Sequence, residues 1–560
     1  MSEFADLCIV NGRVFDGRVR TASTAVAVQN GRIVEVGTDT AVLAHRGPRT
    51  RVIDARAGAI LPGFVDAHAH AAFAGVERLS LDLTSADSVD GTVELIARAA
   101  AALDAAGDPD AWLTGGGWSH ELFEHPTRQM LDEIAPDRPI ALSDAGHHTL
   151  WVNSRALEIA GIDRDTPQPA NGHVYHDQHG EPTGYLNEGG VELLAPYIPA
   201  ATVEEMTAGL LEAQRYLWSL GVTGWHEAIL GEFNGKADCT PAYLAAISDG
   251  SLRSRVSGAL WIPAGTTLAE VPALVEHFER RRAENEAAGL PSSTCKAMVD
   301  GVPQGETAAL LDPYCSHPHT GELHIDAETM CELAIRLDAR GFALHLHVMG
   351  DRGTRVALDA IEAARRANGP GPRHHLAHLS MIAPDDTRRF GALGVTANIQ
   401  GLWATTDPSM IAVVGEERSA RSYPFRELVE SGADLAMGSD WPVSLADPWQ
   451  AIHVAVNRAH PFGPAAGLPP LDPSQALTLV EALAAYTSGS ASLVLGAAGR
   501  VSVGERADLV VATEDPFELP EDQLFRLATA VTVVAGEVVH ERVPAGSPDT
   551  RALPEPVEKR

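Results

Sequence analysis

The chain has 560 residues, with 42 Lys+Arg against 75 Asp+Glu and a formal net charge of −33. That balance argues against a nucleic-acid groove or an anionic membrane surface as partner, since both call for a basic face. With 45% hydrophobic and 21% charged residues there is ample material for a core, and at about 150 residues per domain the length allows several domains or one large barrel with satellites.

The basic residues are skewed: Lys236, Lys296 and Lys559 are the only lysines, the others all being arginine. A lysine inside an apolar run therefore invites a chemical reason. The start, MSEFADLCIVNGRVFDG, lacks a basic region followed by an apolar one, and no run of about 18 apolar residues occurs. Cys8, Cys239, Cys295, Cys315 and Cys331 are scattered without CxxC spacing, which fits a reducing compartment. A cytoplasmic location is expected, with neither membrane nor nucleic acid as partner, and a homodimer as the assembly.

In chain order, residues 6–60 read as short β segments with Asn-Gly turns at 11–12 and 30–31. The segments ADLVVATED and TAVTVVAGEVVHE near the other end have the same character. A composite β-sandwich built from residues 1–60 and 487–545 is expected, followed by a loosely ordered tail over 546–560. Between the two ends, strands are expected at 63–68, 221–226, 255–260, 294–299, 341–347, 374–379, 394–399 and 434–439, separated by helical stretches. This alternation predicts an α/β fold, a (β/α)8 TIM barrel over residues 61–486. The long gap after the first strand predicts an inserted subdomain over 80–200, because an unstructured loop of that length is improbable.

The sharpest motif is Asp66-Ala67-His68-Ala69-His70. In an extended segment residues i and i+2 share a face, so both imidazoles can converge on one metal ion. Barrel strands collect their catalytic residues at their C-terminal ends. The fifth strand ends in His345-Leu346-His347, the sixth carries Arg373-His374-His375-Leu376-Ala377-His378, and the eighth ends in Ser439-Asp440. Any one of these histidines alone reads as a packed residue; together they match the donor set of Zn²⁺ or a similar ion.

Lys296 lies within Thr294-Cys295-Lys296-Ala297-Met298-Val299, where a free ammonium is costly to bury. A neutral lysine adds CO2 to give an anionic carbamate whose two oxygens can bridge two cations. The alternatives are a snorkelling side chain or a pair with Asp300.

These segments resemble the amidohydrolase superfamily of metal-dependent hydrolases, and more closely its YtcJ-like branch, which includes N-substituted formamide deformylases. LPGFVDAHAH resembles the first-strand motif, KAMVDGVPQGETAALLDPY the lysine strand, HVMGDRG and RHHLAHL strands five and six, and MGSDWPV strand eight. GHHTLWVNSRALEIAGI resembles the insert signature and VGERADLVV the return into the small β domain. Ala377 departs from the pattern, since many relatives carry Glu there. The resemblance implies two divalent metal ions, Zn²⁺ by expectation. His68, His70 and Asp440 would hold the more buried ion, His347 and His378 the more exposed one, and the CO2-derived carbamate of Lys296 would bridge them.

It also implies hydrolysis of a small-molecule substrate with a linear amide-type C–N bond, by a water that the two ions activate. Asp440 would move the proton from that water to the leaving amine. His148 in the insert signature would contact the substrate carbonyl or leaving group, or be a structural loop histidine. Trp118, Trp403 and Trp441 are placed near the barrel mouth as candidates for an apolar substrate pocket, with a helical or hydrophobic-core position as the alternative for each; His226 is a further candidate, for which a packed position beside Trp225 is the alternative. Carbamates, esters or cyclic amides remain open as substrates, as does a non-catalytic scaffold.

Overall fold

The computed structural model describes residues 4–542 except 85, 109, 110, 121, 124, 145–148, 170, 171, 234 and 463. Its centre is a parallel sheet of eight strands in sequence order: β1 (Phe64–Ala69), β2 (Val222–Leu230), β3 (Arg255–Trp261), β4 (Thr294–Met298), β5 (Ala343–Val348), β6 (His375–His378), β7 (Thr396–Ile399) and β8 (Leu435–Met437). These are the eight strands expected. β1 and β2 are buried along their whole length, as suits strands covered on both faces, with side chains filling the barrel and helices outside. The helix Asp351–Asn368, for example, buries Thr354, Ala357, Leu358, Ile361 and Ala364, an apolar stripe at helical spacing.

The barrel closes where β8 meets β1. Ala69 and Trp441 form a parallel bridge, and His70 N–H donates to Trp441 O over 2.8 Å. The approach requires glycine at Gly438, where a β-carbon would lie 2.5 Å from the backbone nitrogen of His68.

After β1 the chain runs through α1 (Ala71–Leu79), leaves the barrel, and returns through α2 (Val203–Ser219). α2 opens with a capping box between Thr202 and Glu205. The two helices touch backbone to backbone, because a β-carbon on Gly75 would lie 1.8 Å from Gly209 O. Between them lies a six-stranded sheet running from Leu81–Asp82 to Pro182–Glu188, with a core that includes Trp118, Phe123, Leu142 and Trp151.

Both ends of the chain join one β unit. Leu7–Val10, Ala25–Gln29, Arg32–Gly37 and Arg51–Asp54 form one sheet. Ala59–Pro62 pairs antiparallel with Leu509–Ala512 in a second. The two sheets share a core in which Ile9, Val28 and Ile60 meet Leu509 and Val533. The tail expected over 546–560 lies outside the described residues. Among the described residues, no helix is long and apolar enough to cross a membrane.

Candidate metal centre

The C-terminal ends of β1, β4, β5, β6 and β8 bring six side chains together. His68, Lys296 and His378 are 1% exposed, Asp440 is 6% and His347 7%, while His70 is half-buried. Asp440 Oδ1 lies 3.3 Å from His68 Nε2 and 3.2 Å from His70 Nε2, and Asp440 Oδ2 lies 3.8 Å from His378 Nδ1. Lys296 Nζ is 3.5 Å from His68 Nε2. The rings of His347 and His378 stand 4.3 Å apart.

The backbone at two of these residues is unusual. His378 has φ 76° and Asp440 φ 57°, the left-handed region that residues with a β-carbon adopt at a cost of about 1–3 kcal/mol. His378 ends β6 and Asp440 follows β8, and the turn at each aims its side chain across the barrel mouth.

Burial governs the charges. It holds the His68 imidazole down to about 4 and those of His347 and His378 well below the usual range. It brings the Lys296 ammonium down to about 7, against the opposing pull of Asp440. Burial works against the Asp440 carboxylate too, yet the neighbouring His68, His70 and His378 outweigh it and hold that acid well below its ordinary value. At neutral pH the site therefore offers neutral imidazoles at His68, His347 and His378 and an anionic carboxylate, the forms that ligate cations.

Among the described residues, ligand atoms of His68, His70 and Asp440 lie within 4.8 Å of one another and could hold a metal ion. Two buried atoms of the site, Asp440 Oδ1 and His378 Nδ1, have no hydrogen-bond partner among the described residues. Such atoms are costly unless something satisfies them, so the donor set fits a divalent cation.

A family model described as "Amidohydrolase family" matches residues 51–540. The chain belongs to the amidohydrolase family. It is a hydrolase, similar over most of its length to the putative amidohydrolase YtcJ of Bacillus subtilis (strain 168), at 30% identity over 92% of this chain and 96% of the relative. An N-substituted formamide deformylase of Arthrobacter pascens is 28% identical over 97% of this chain and 99% of the relative. The fold matches a crystal structure of an uncharacterized metal-dependent hydrolase from Pyrococcus horikoshii OT3 with TM-score 0.71 and 24% identity, covering 92% of this chain and 99% of that one.

Of the candidates for the substrate pocket of this amidohydrolase, Trp118, His226 and Trp441 are packed inside the protein and Trp403 stands beside the centre. Trp118 does not line a pocket: it is 1% exposed, its indole N–H donates to Leu142 O over 3.0 Å, and it packs at 6.3 Å from Trp151 inside the insert core. His226 is 1% exposed in the barrel interior, with Nδ1 2.8 Å from Ser257 Oγ, which leaves it no face toward a substrate at the mouth. Trp441 is 6% exposed and lies against Tyr216 of α2 at 5.1 Å, so it too presents little surface. Trp403 is half-buried and stacks on His378 at 5.2 Å with only 9° between the planes. His148 lies outside the described residues.

Lys296 is not paired with Asp300. The Asp300 carboxylate instead accepts from the backbone N–H groups of Ala309, Met349 and Gly350 at 2.9, 3.0 and 2.8 Å, fixing the turn after β5. Two buried carboxylates passed over in the sequence support the site. Asp66 accepts from His68 N and Ser439 N, both at 3.0 Å, and from Ser439 Oγ at 2.5 Å. Glu227 is fully buried, accepts from Tyr243 Oη at 2.6 Å, and places Oε1 3.9 Å from His70 Nδ1. Their signal in the sequence is a carboxylate inside an apolar strand.

Proposed function

We propose that this amidohydrolase cleaves a linear amide-type C–N bond, in an N-substituted formamide or an acyl amide. The observation that carries the reading is the convergence of His68, His70 and Asp440, beside Lys296 and the His347–His378 pair, at the end of the barrel where hydrolytic sites form. The likeness to the formamide deformylase over nearly the full length of both chains supports the choice of amide.

In this reading His68, His70 and Asp440 would hold one divalent ion, His347 and His378 a second, and Lys296 as its carbamate would serve both. When bound, two Zn²⁺ ions would acidify a water and polarise the substrate carbonyl. The rest falls to the chain's own residues. Lys296, with its proton released near neutrality, can attack CO2 through Nζ, lose a proton, and become an anion. Asp440, held ionised among three imidazoles, accepts the proton of the attacking water and returns it to the departing amine nitrogen, without which an amide leaving group is poor. Trp403, stacked over His378, presents an apolar wall to the acyl or N-substituent side. A panel of N-substituted formamides, acyl amides, carbamates and esters tests the substrate class: the highest kcat/KM should fall on an amide, and a preference for carbamates or esters would refute it.

A further inference from the structure

The barrel interior holds three more imidazoles that the proposed reaction does not use. His226 on β2, His345 on β5 and His375 on β6 are each 2% exposed or less. One ring nitrogen of each lies within 4.8 Å of those of the other two, and the ring centres of His345 and His375 are 4.3 Å apart. His345 reaches the metal centre: its Nε2 lies 3.0 Å from His68 Nδ1, with the rings at 87°.

Hydrogen bonds from outside the group fix the tautomers of His226 and His375. Ser257 Oγ donates to the carbonyl of Val494 over 2.6 Å, so toward His226 Nδ1 it accepts, and His226 Nε2 is left with a lone pair. Asn398 Nδ2 donates to Ala67 O at 2.9 Å, which sets the amide's orientation, and faces His375 Nδ1 at 3.3 Å. His375 therefore carries its proton on Nε2. With that nitrogen protonated the group lacks three free lone pairs and is not a third cation site. Among the described residues His226 Nε2 and His345 Nδ1 are both buried without a hydrogen-bond partner, so the tautomer of His345 is read from its other nitrogen. His68 turns Nε2 to Lys296 and Asp440; with that nitrogen as the ligand lone pair its proton sits on Nδ1, and His345 Nε2, 3.0 Å away, is the acceptor.

We propose that His345, seated between His226 and His375, is a positioning residue: it accepts the Nδ1 proton of His68 and so directs the His68 Nε2 lone pair toward Asp440 and Lys296. A partner of this kind for a ligating histidine is worth about 10–100-fold in metal affinity.

This rests on the metal-centre reading, and one experiment separates the two. Zn²⁺ affinity is measured by chelator competition on the wild type, His345→Leu, His345→Met and His345→Gln, with thermal denaturation of each metal-free protein alongside. His345→Leu should bind about 10–100-fold more weakly. His345→Gln, whose side-chain oxygen can accept from His68, should recover most of that loss. His345→Met, an unbranched side chain that offers no oxygen or nitrogen to the His68 proton, should be as weak as Leu and keeps the test open if the Leu variant does not fold. A wild type that binds no Zn²⁺ would overturn the metal-centre reading. A wild type that binds while His345→Leu binds equally well, or while Gln is as weak as Leu, would overturn the positioning role alone.

Discussion

The backbone N–H of Asp440 donates to the carbonyl oxygen of His68 over 2.8 Å, and the side chains of the same two residues meet 3.3 Å apart. The closure of the barrel and the assembly of the candidate centre are thus one event. Asp66 reinforces it from β1 by holding Ser439, the residue before Asp440. A ligand set built on that seam is positioned by strands rather than by loops, which suits a site that must hold cations in fixed geometry.

Asp440→Asn keeps the size of the side chain but removes its capacity to take a proton. The variant is expected to fold with a wild-type melting temperature and to retain metal, while turnover falls by about 10²–10⁴-fold. Steady-state kinetics on the preferred amide, with elemental analysis of the same sample, measure both; near-normal turnover would remove Asp440 from the proton-transfer role.

Lys296→Ala removes the proposed bridge. Bound metal should drop, and short carboxylates such as acetate or propionate should restore part of the content and part of the activity. Full metal content in the unsupplemented variant would count against a bridging carbamate.

The same lysine makes a prediction about the metal-free protein. Burial lowers it from 10.5 to about 7 in the folded state, so between those limits the unfolded chain binds more protons than the native one, and stability rises with pH. Below about pH 7 the full cost of the buried ammonium applies; toward pH 10 it is relieved, by a few kcal/mol in all. Thermal denaturation of chelator-treated protein should show that rise, and Lys296→Met should flatten it. An equal slope in both proteins would contradict the assignment.

Gly75→Val tests the anchor of the insert. A β-carbon there would lie 1.8 Å from Gly209 O, a backbone atom that cannot swing aside, so overpacking should cost about 1–3 kcal/mol or more. Calorimetry should record a lower melting temperature; an unchanged one would mean the α1–α2 contact is looser than described.

The barrel was legible because its strands are short apolar runs repeating between helical stretches, and the metal centre because histidines and an aspartate gathered at four strand ends at once have few other uses. What escaped was depth. His345 and His347 share an inward face by the alternation of β5, yet spacing does not say that one lies at the mouth and the other in the layer beneath. His226 raised the same ambiguity, and the structure resolves it toward the interior. Trp118 misled because an indole beside three glycines looks the same in a loop as in a core; its N–H found Leu142 O inside the insert. Glu227 and Asp66 carry no motif of their own, only the oddity of a carboxylate among buried apolar residues.

The central claim is that the cluster at the barrel mouth is a metal centre that hydrolyses amides. The most direct measurement follows amine release from an N-substituted formamide by the protein as isolated, after chelation, and after Zn²⁺ is returned, with metal per chain determined at each stage. The account predicts turnover that disappears with the metal and returns with it; chelator-insensitive turnover, or a metal-replete protein that releases no amine from any amide, would contradict it.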